Sequence, residues 1–79
     1  MQLSAEQTSW LRRGLECLAA NRHRCFEDAL WLGFGDQWWP FREQLVQHDY
    51  IESKRDQSVA LTARGRMLME RLADHSVVA

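Results

Sequence analysis

Cys17, His23 and Cys25 fall within nine residues and are the first side chains whose types could do chemistry. Thiolates and imidazoles bind zinc, but zinc sites of this kind pair their ligands in short repeats such as Cys-x-x-Cys followed by a second pair. Neither repeat is present, so no metal is expected here. Cys17 reads as a packing residue on a helix flank and Cys25 as a small buried apolar one. His23 reads as an exposed loop residue. Two carboxylate pairs, Glu27 with Asp28 and Asp49 with Glu52, could in principle exchange protons, yet no surrounding motif suggests a pocket. Gly33-Phe34-Gly35-Asp36 lacks the lysine and the preceding strand of a phosphate-binding loop. A chain of this size encloses little substrate volume. The expectation is a protein that is not an enzyme and carries no cofactor.

The remaining chemistry is recognition. The basic residues are nine arginines and one lysine, and arginine's planar fork suits phosphate or carboxylate. They are unevenly spread. Residues 1–26 carry +2, residues 27–52 carry −5 with Arg42 as their one cation, and residues 53–79 carry +2. The acidic residues of the middle are Glu27, Asp28, Asp36, Glu43, Asp49 and Glu52. Lys54, Arg55, Arg64 and Arg66 are candidate phosphate contacts. Arg64 and Arg66 fall in the first turn of a helix, where the macrodipole disfavours cations, so a phosphate partner would account for them. Pairing with the acidic middle segment would account for them equally.

The elements that position these groups follow from periodicity. Ser4-Ala5-Glu6-Gln7 is a capping box, and Leu11, Leu15 and Leu18 follow at helical spacing, predicting a helix over about 5–20. Trp10, Gly14 and Cys17 form a neighbouring stripe. Asn21 is a stop, and a shorter helix is expected over about 26–32, ended by Gly33-Phe34-Gly35. Asp36 is a candidate N-cap for a third helix with Trp38, Phe41 and Leu45 inward, ending near 47–49. Pro40 belongs to its first turn and allows a slightly later start. β-prone segments at 49–53 and 58–62 flank a polar centre and predict a short hairpin. Thr62 caps a last helix over about 63–74, and residues 76–79 are expected to fray.

Helix, helix, helix, hairpin, helix resembles a winged helix-turn-helix domain: mainly α with a small antiparallel β-hairpin. Leu45-Val46-Gln47-His48-Asp49-Tyr50-Ile51 resembles the end of a recognition helix turning into the wing, where many members have glycine at the position of Asp49. Leu61-Thr62-Ala63-Arg64-Gly65-Arg66 resembles the leucine-threonine, two residues, glycine signature that closes the wing in MarR-like and PadR-like regulators. Residues 1–40 match by element order alone. The resemblance implies a recognition helix over about 36–48 and a wing tip over about 54–57.

Two functional expectations follow. The first is a transcriptional regulator that binds double-stranded DNA, with Arg42, Gln44 and Gln47 reading base edges and Lys54, Arg55, Arg64 and Arg66 holding phosphates. The second is a protein-interaction module, an adaptor or a phage-type inhibitor docking on a protein or nucleoprotein complex. Its supports are the acidic middle segment and an outward stripe of Trp39 and Val46 beside Glu43. Trp39 packed into the core against Trp31 or Phe34 is the plain structural alternative. Four tryptophans are many for one small core, so at least one of Trp10, Trp31 and Trp39 is expected at an interface. A homodimer through the Trp10–Gly14–Cys17 stripe, or through Met67, Met69 and Val77, is also expected.

Length and composition agree. Seventy-nine residues make one domain, with 46% hydrophobic and 27% charged residues and a net charge of −1. That balance excludes a polybasic nucleic-acid cloak and argues against disorder. No apolar run reaches membrane length, and Glu6, Arg12, Arg13 and Glu16 stand where a signal peptide would need its apolar run, so export is not expected. With two cysteines only, a reduced, cytoplasmic protein is expected.

Overall fold

The computed structural model describes residues 3–56 and 58–78. Its elements are α1 (Ala5–Ala19), α2 (His23–Phe34), a single 3₁₀ turn (Gly35–Gln37), α3 (Trp38–Gln47), β1 (Ile51–Ser53), β2 (Val59–Leu61) and α4 (Ala63–Val78). The fold is mainly helical with one antiparallel hairpin, in a winged-helix-like arrangement.

The capping box forms as its sequence dictates. The Gln7 N–H donates to Ser4 Oγ at 3.0 Å, and the Ser4 N–H donates to Gln7 Oε1 at 3.1 Å. α1 packs antiparallel on α2. Gly14 lies against Phe26, where a β-carbon would come 3.3 Å from Phe26 Cδ1. At the other end Trp10 crosses Gly33, where a β-carbon would come 2.6 Å from Trp10 Cβ. The Trp10–Gly14–Cys17 stripe therefore faces α2 within the chain. This corrects its expected availability for a dimer.

α1 ends at Ala19, and two residues on Asn21 turns the chain with a φ of 60°, the left-handed conformation that asparagine tolerates better than most residues. α2 then starts at His23, three residues earlier than expected, and runs two residues further, to Phe34. Its inward face of Phe26, Ala29 and Leu30 is as the spacing predicts. Asp36 does not cap α3. It lies in the 3₁₀ turn, and α3 starts at Trp38 with no side-chain cap. The shift places Pro40 in the first turn of α3, where its missing N–H removes no helical hydrogen bond.

Leu11, Leu15, Leu18, Phe26, Leu30, Phe41, Leu45, Ile51 and Val59 form one buried cluster drawn from α1, α2, α3 and both strands. Phe34 stacks on Phe41 at 3.9 Å between centroids. In the hairpin Ile51 pairs with Leu61, Glu52 with Ala60 and Ser53 with Val59. α4 continues through Val78, beyond the point where fraying is expected. Gln57, Ala79 and the side chain of Val77 lie outside the described residues.

The cysteines depart from expectation. Cys17 and Cys25 are joined by a disulfide, with 5.8 Å between their Cα atoms, and Cys25 is exposed rather than buried. The antiparallel register of α1 and α2 brings the two together across the 20–22 connection. The expectation of reduced thiols does not hold in this structure.

Candidate functional site

The face made by α3, the hairpin and the start of α2 brings together Trp39, Arg42 and Glu43 of the predicted recognition residues. α3 turns Trp38, Phe41, Arg42 and Leu45 inward, because these positions fall on one arc of the helix. Arg42 is the departure. Expected on the helix flank, it is only 7% exposed. Its aliphatic stem follows the apolar arc, in the manner of long cationic side chains that cover hydrophobic surface. Its guanidinium lies 4.7 Å from the centre of the Trp39 ring, and Nη1 is 3.8 Å from Glu43 Oε1.

Trp39 is 49% exposed and meets Trp38 edge to face at 5.4 Å. It does not pack against Trp31 or Phe34 in the core. Trp31 is exposed as well, at 52%, whereas Trp10 is half-buried on Gly33. Gln44 and Gln47 point outward, as the helical wheel requires. Val46 is half-buried against the core, so the expected apolar stripe with Trp39 reduces largely to Trp39 itself.

Beside Trp39 runs an open groove of about 490 Å³. Its walls are Trp39, Arg42 and Glu43 from α3, His23 and Glu27 from α2, and Ser53, Ser58 and Val59 from the hairpin. His23 joins this site because α2 begins three residues earlier than its apolar pattern indicates, and Glu27 follows one turn on along the same helix. Only the polar opening of that helix could have signalled their placement. The wing tip is ordered by a local network. Lys54 N–H donates to the Ser58 carbonyl at 2.8 Å, and Ser58 donates to Asp56 Oδ1 through both its hydroxyl and its backbone N–H. The hydroxyl bond, followed by the backbone bond, holds the Asp56 carboxyl below its ordinary range. Lys54 adds a smaller contribution in the same direction.

The predicted phosphate contacts do not gather in one place. Lys54 and Arg55 are exposed at the wing tip. Arg64 and Arg66 begin α4 at the wing base, with Arg64 5.5 Å over the Tyr50 ring. A three-residue strand spans about 10 Å between tip and base. Among the described residues the ion pairs are Arg12–Glu16 and Arg42–Glu43, so none of these four cations is matched to the acidic middle segment. Met67 is exposed beside Arg64 and Arg71, and Met69 is half-buried.

No described helix is long and apolar enough to cross a membrane. No family model, curated protein or solved structure matches the chain.

Proposed function

We propose that the chain is a winged-helix-like docking module that binds a protein partner through the face centred on Trp39. One observation carries this reading. The sole cation of α3, Arg42, is turned inward beneath Trp39, which leaves the helix presenting an exposed indole flanked by Glu43, Gln44 and Gln47. An aromatic anchor with a polar surround is the usual form of an interaction hot spot. A helix with no exposed cation and an acidic neighbour is poorly suited to a phosphate-lined groove.

A second reading, a DNA-binding transcriptional regulator, is favoured by a different observation. Lys54 and Arg55 stand exposed at the wing tip with no ion pair among the described residues, and Gln44 and Gln47 are exposed where they could meet base edges. The dimeric, cytoplasmic form expected of such a regulator belongs to this reading.

Fluorescence anisotropy of a labelled mixed-sequence duplex, titrated with the protein at low and then physiological salt, separates the two. The docking reading expects no saturable binding at low salt. It also expects Trp39→Ala to abolish capture of partner proteins from extract while the helical circular dichroism is kept. Micromolar duplex binding that falls steeply with salt, and disappears when Lys54, Arg55, Arg64 and Arg66 are neutralised, would overturn it in favour of the regulator.

A further inference from the structure

The two ends of the disulfide sit in opposite electrostatic surroundings. Cys25 is the third residue of α2, in the helix's positive first turn. Arg22, at the cap position, makes no side-chain cap hydrogen bond, so no side chain offsets the positive end of the helix. Cys17 lies in the last turn of α1, the negative end, and its carbonyl accepts from the N–H groups of Ala20 and Arg22. Cys25 is exposed and Cys17 half-buried. A shallow cleft over the pair is lined by Arg13, Arg22 and Glu16, a net positive rim.

We propose that Cys17–Cys25 is a reversible thiol–disulfide site that exchanges with low-molecular-weight anionic disulfides. Cys25 is the attacking thiol and Cys17 the resolving one. The helix end and the arginines favour the thiolate of Cys25, and its exposure lets a reagent reach it. The α1 C-terminus and Glu16 disfavour the thiolate of Cys17 until a mixed disulfide is within its reach.

In the reduced chain, the Cys25 thiolate attacks one sulfur of the external disulfide. That S–S bond breaks, and one external thiolate leaves and takes up a proton. The Cys17 thiol then loses its proton to solvent and attacks Cys25 Sγ. The mixed disulfide breaks and the second external thiolate leaves. The chain loses two electrons, and the external disulfide is reduced to two thiols. Excess external thiol runs the same steps backwards. The positive rim selects carboxylate-bearing reagents, of which oxidised glutathione is the natural probe.

The test uses the full chain with Cys17→Ser and Cys25→Ser, each reduced and mixed with oxidised glutathione at pH 6.5, with mixed-disulfide formation followed by mass spectrometry. Cys25 in the first variant is expected to react about tenfold faster or more than Cys17 in the second. Cystamine, a cationic disulfide, should react several-fold more slowly than glutathione disulfide at Cys25. Arg22→Gln, which keeps both cysteines, should remove most of that preference. In the unaltered chain, raising the ratio of reduced to oxidised glutathione should convert the disulfide to two thiols with helical circular dichroism retained. Equal rates at the two cysteines, or faster reaction at Cys17, would overturn the assignment of roles. A disulfide that persists through all glutathione ratios would overturn exchange altogether and leave a purely structural bond.

Discussion

Gly65 Cα lies so close to the carbonyl oxygen of Tyr50 that a β-carbon on residue 65 would overlap that oxygen. The obstacle is backbone and cannot rotate away, whereas Leu61 Cδ1, which crowds the same space at 2.7 Å, ends a side chain that can turn aside. This contact locks the first turn of α4 onto the segment between α3 and β1, and so sets where the wing leaves the helices. Overpacking at such a site costs about 1–3 kcal/mol. Gly65→Ala should lower the urea midpoint accordingly, with the m-value unchanged.

Thr62 closes the same junction by hydrogen bonds. Its hydroxyl donates to the Asp49 carbonyl at 2.5 Å and accepts from the Gly65 N–H at 2.9 Å, so one oxygen serves as the α4 cap and as a clasp on the end of α3. Thr62→Ala should cost about 1–2 kcal/mol in thermal or urea unfolding, and Thr62→Ser should recover most of it. A loss in the alanine variant no larger than a surface substitution's would show that the clasp contributes little.

Asp49 reaches this junction with a φ of 62°, in the left-handed region where a side chain is disfavoured by roughly 1 kcal/mol. The sequence resemblance marks this position as a common glycine site, and the backbone supplies the reason. Asp49→Gly should leave stability unchanged or raise it by about 0.5 kcal/mol, whereas the β-branched Asp49→Val should lower it by about 1–2 kcal/mol. Differential scanning calorimetry of the two variants checks both signs.

Thr62 is legible in the sequence as a cap, and Asp49 and Gly65 are marked there through the resemblance, because short-range geometry demands particular residue types at such positions. Cap, left-handed turn and close backbone approach each leave a mark in sequence. The candidate site was less legible. Arg42 reads as a flank residue on a helical wheel, yet the width of the apolar arc, with Trp38 one turn earlier, carries it inward. The Cys17–Cys25 bond depends on the antiparallel register of α1 on α2, which is set by Gly14 and Gly33 admitting Phe26 and Trp10. No local pattern encodes that register. His23 enters the groove only because α2 begins before its first buried residue.

The wing-tip network gives a pH dependence whose sign is fixed. The Asp56 carboxyl titrates below its ordinary value of 3.8 in the folded chain, chiefly because the Ser58 hydroxyl and then the Ser58 N–H donate to it. A depressed folded-state value favours the folded turn above about pH 3.8. That contribution is lost as pH falls through the lower, folded value. Carbon-detected NMR titration of Asp56 should show a midpoint below 3.8, and Ser58→Ala should move it upward. An unmoved midpoint in that variant would assign the shift to Lys54 or to the remaining backbone bond.

Arg42 separates the requirements of the fold from those of the proposed docking face. The Arg42 guanidinium borders the open groove, and one 3.8 Å ion pair and an aromatic ring in such a place add little net stability. Arg42→Met keeps the stem that packs on the α3 arc and removes the charge, so unfolding free energy should change by less than about 1 kcal/mol, or rise. Arg42→Ala removes the stem as well and should cost about 2 kcal/mol or more. The same methionine variant withdraws the cation from beneath Trp39, and the indole loses the contact that fixes its orientation at the groove. Partner capture should therefore weaken in Arg42→Met while the fold persists, and Trp39 fluorescence should respond more readily to quenchers. A methionine variant that unfolds with the alanine one would mean that the charge itself holds α3 in place. Arg42 would then be part of the scaffold rather than the support of an exposed anchor.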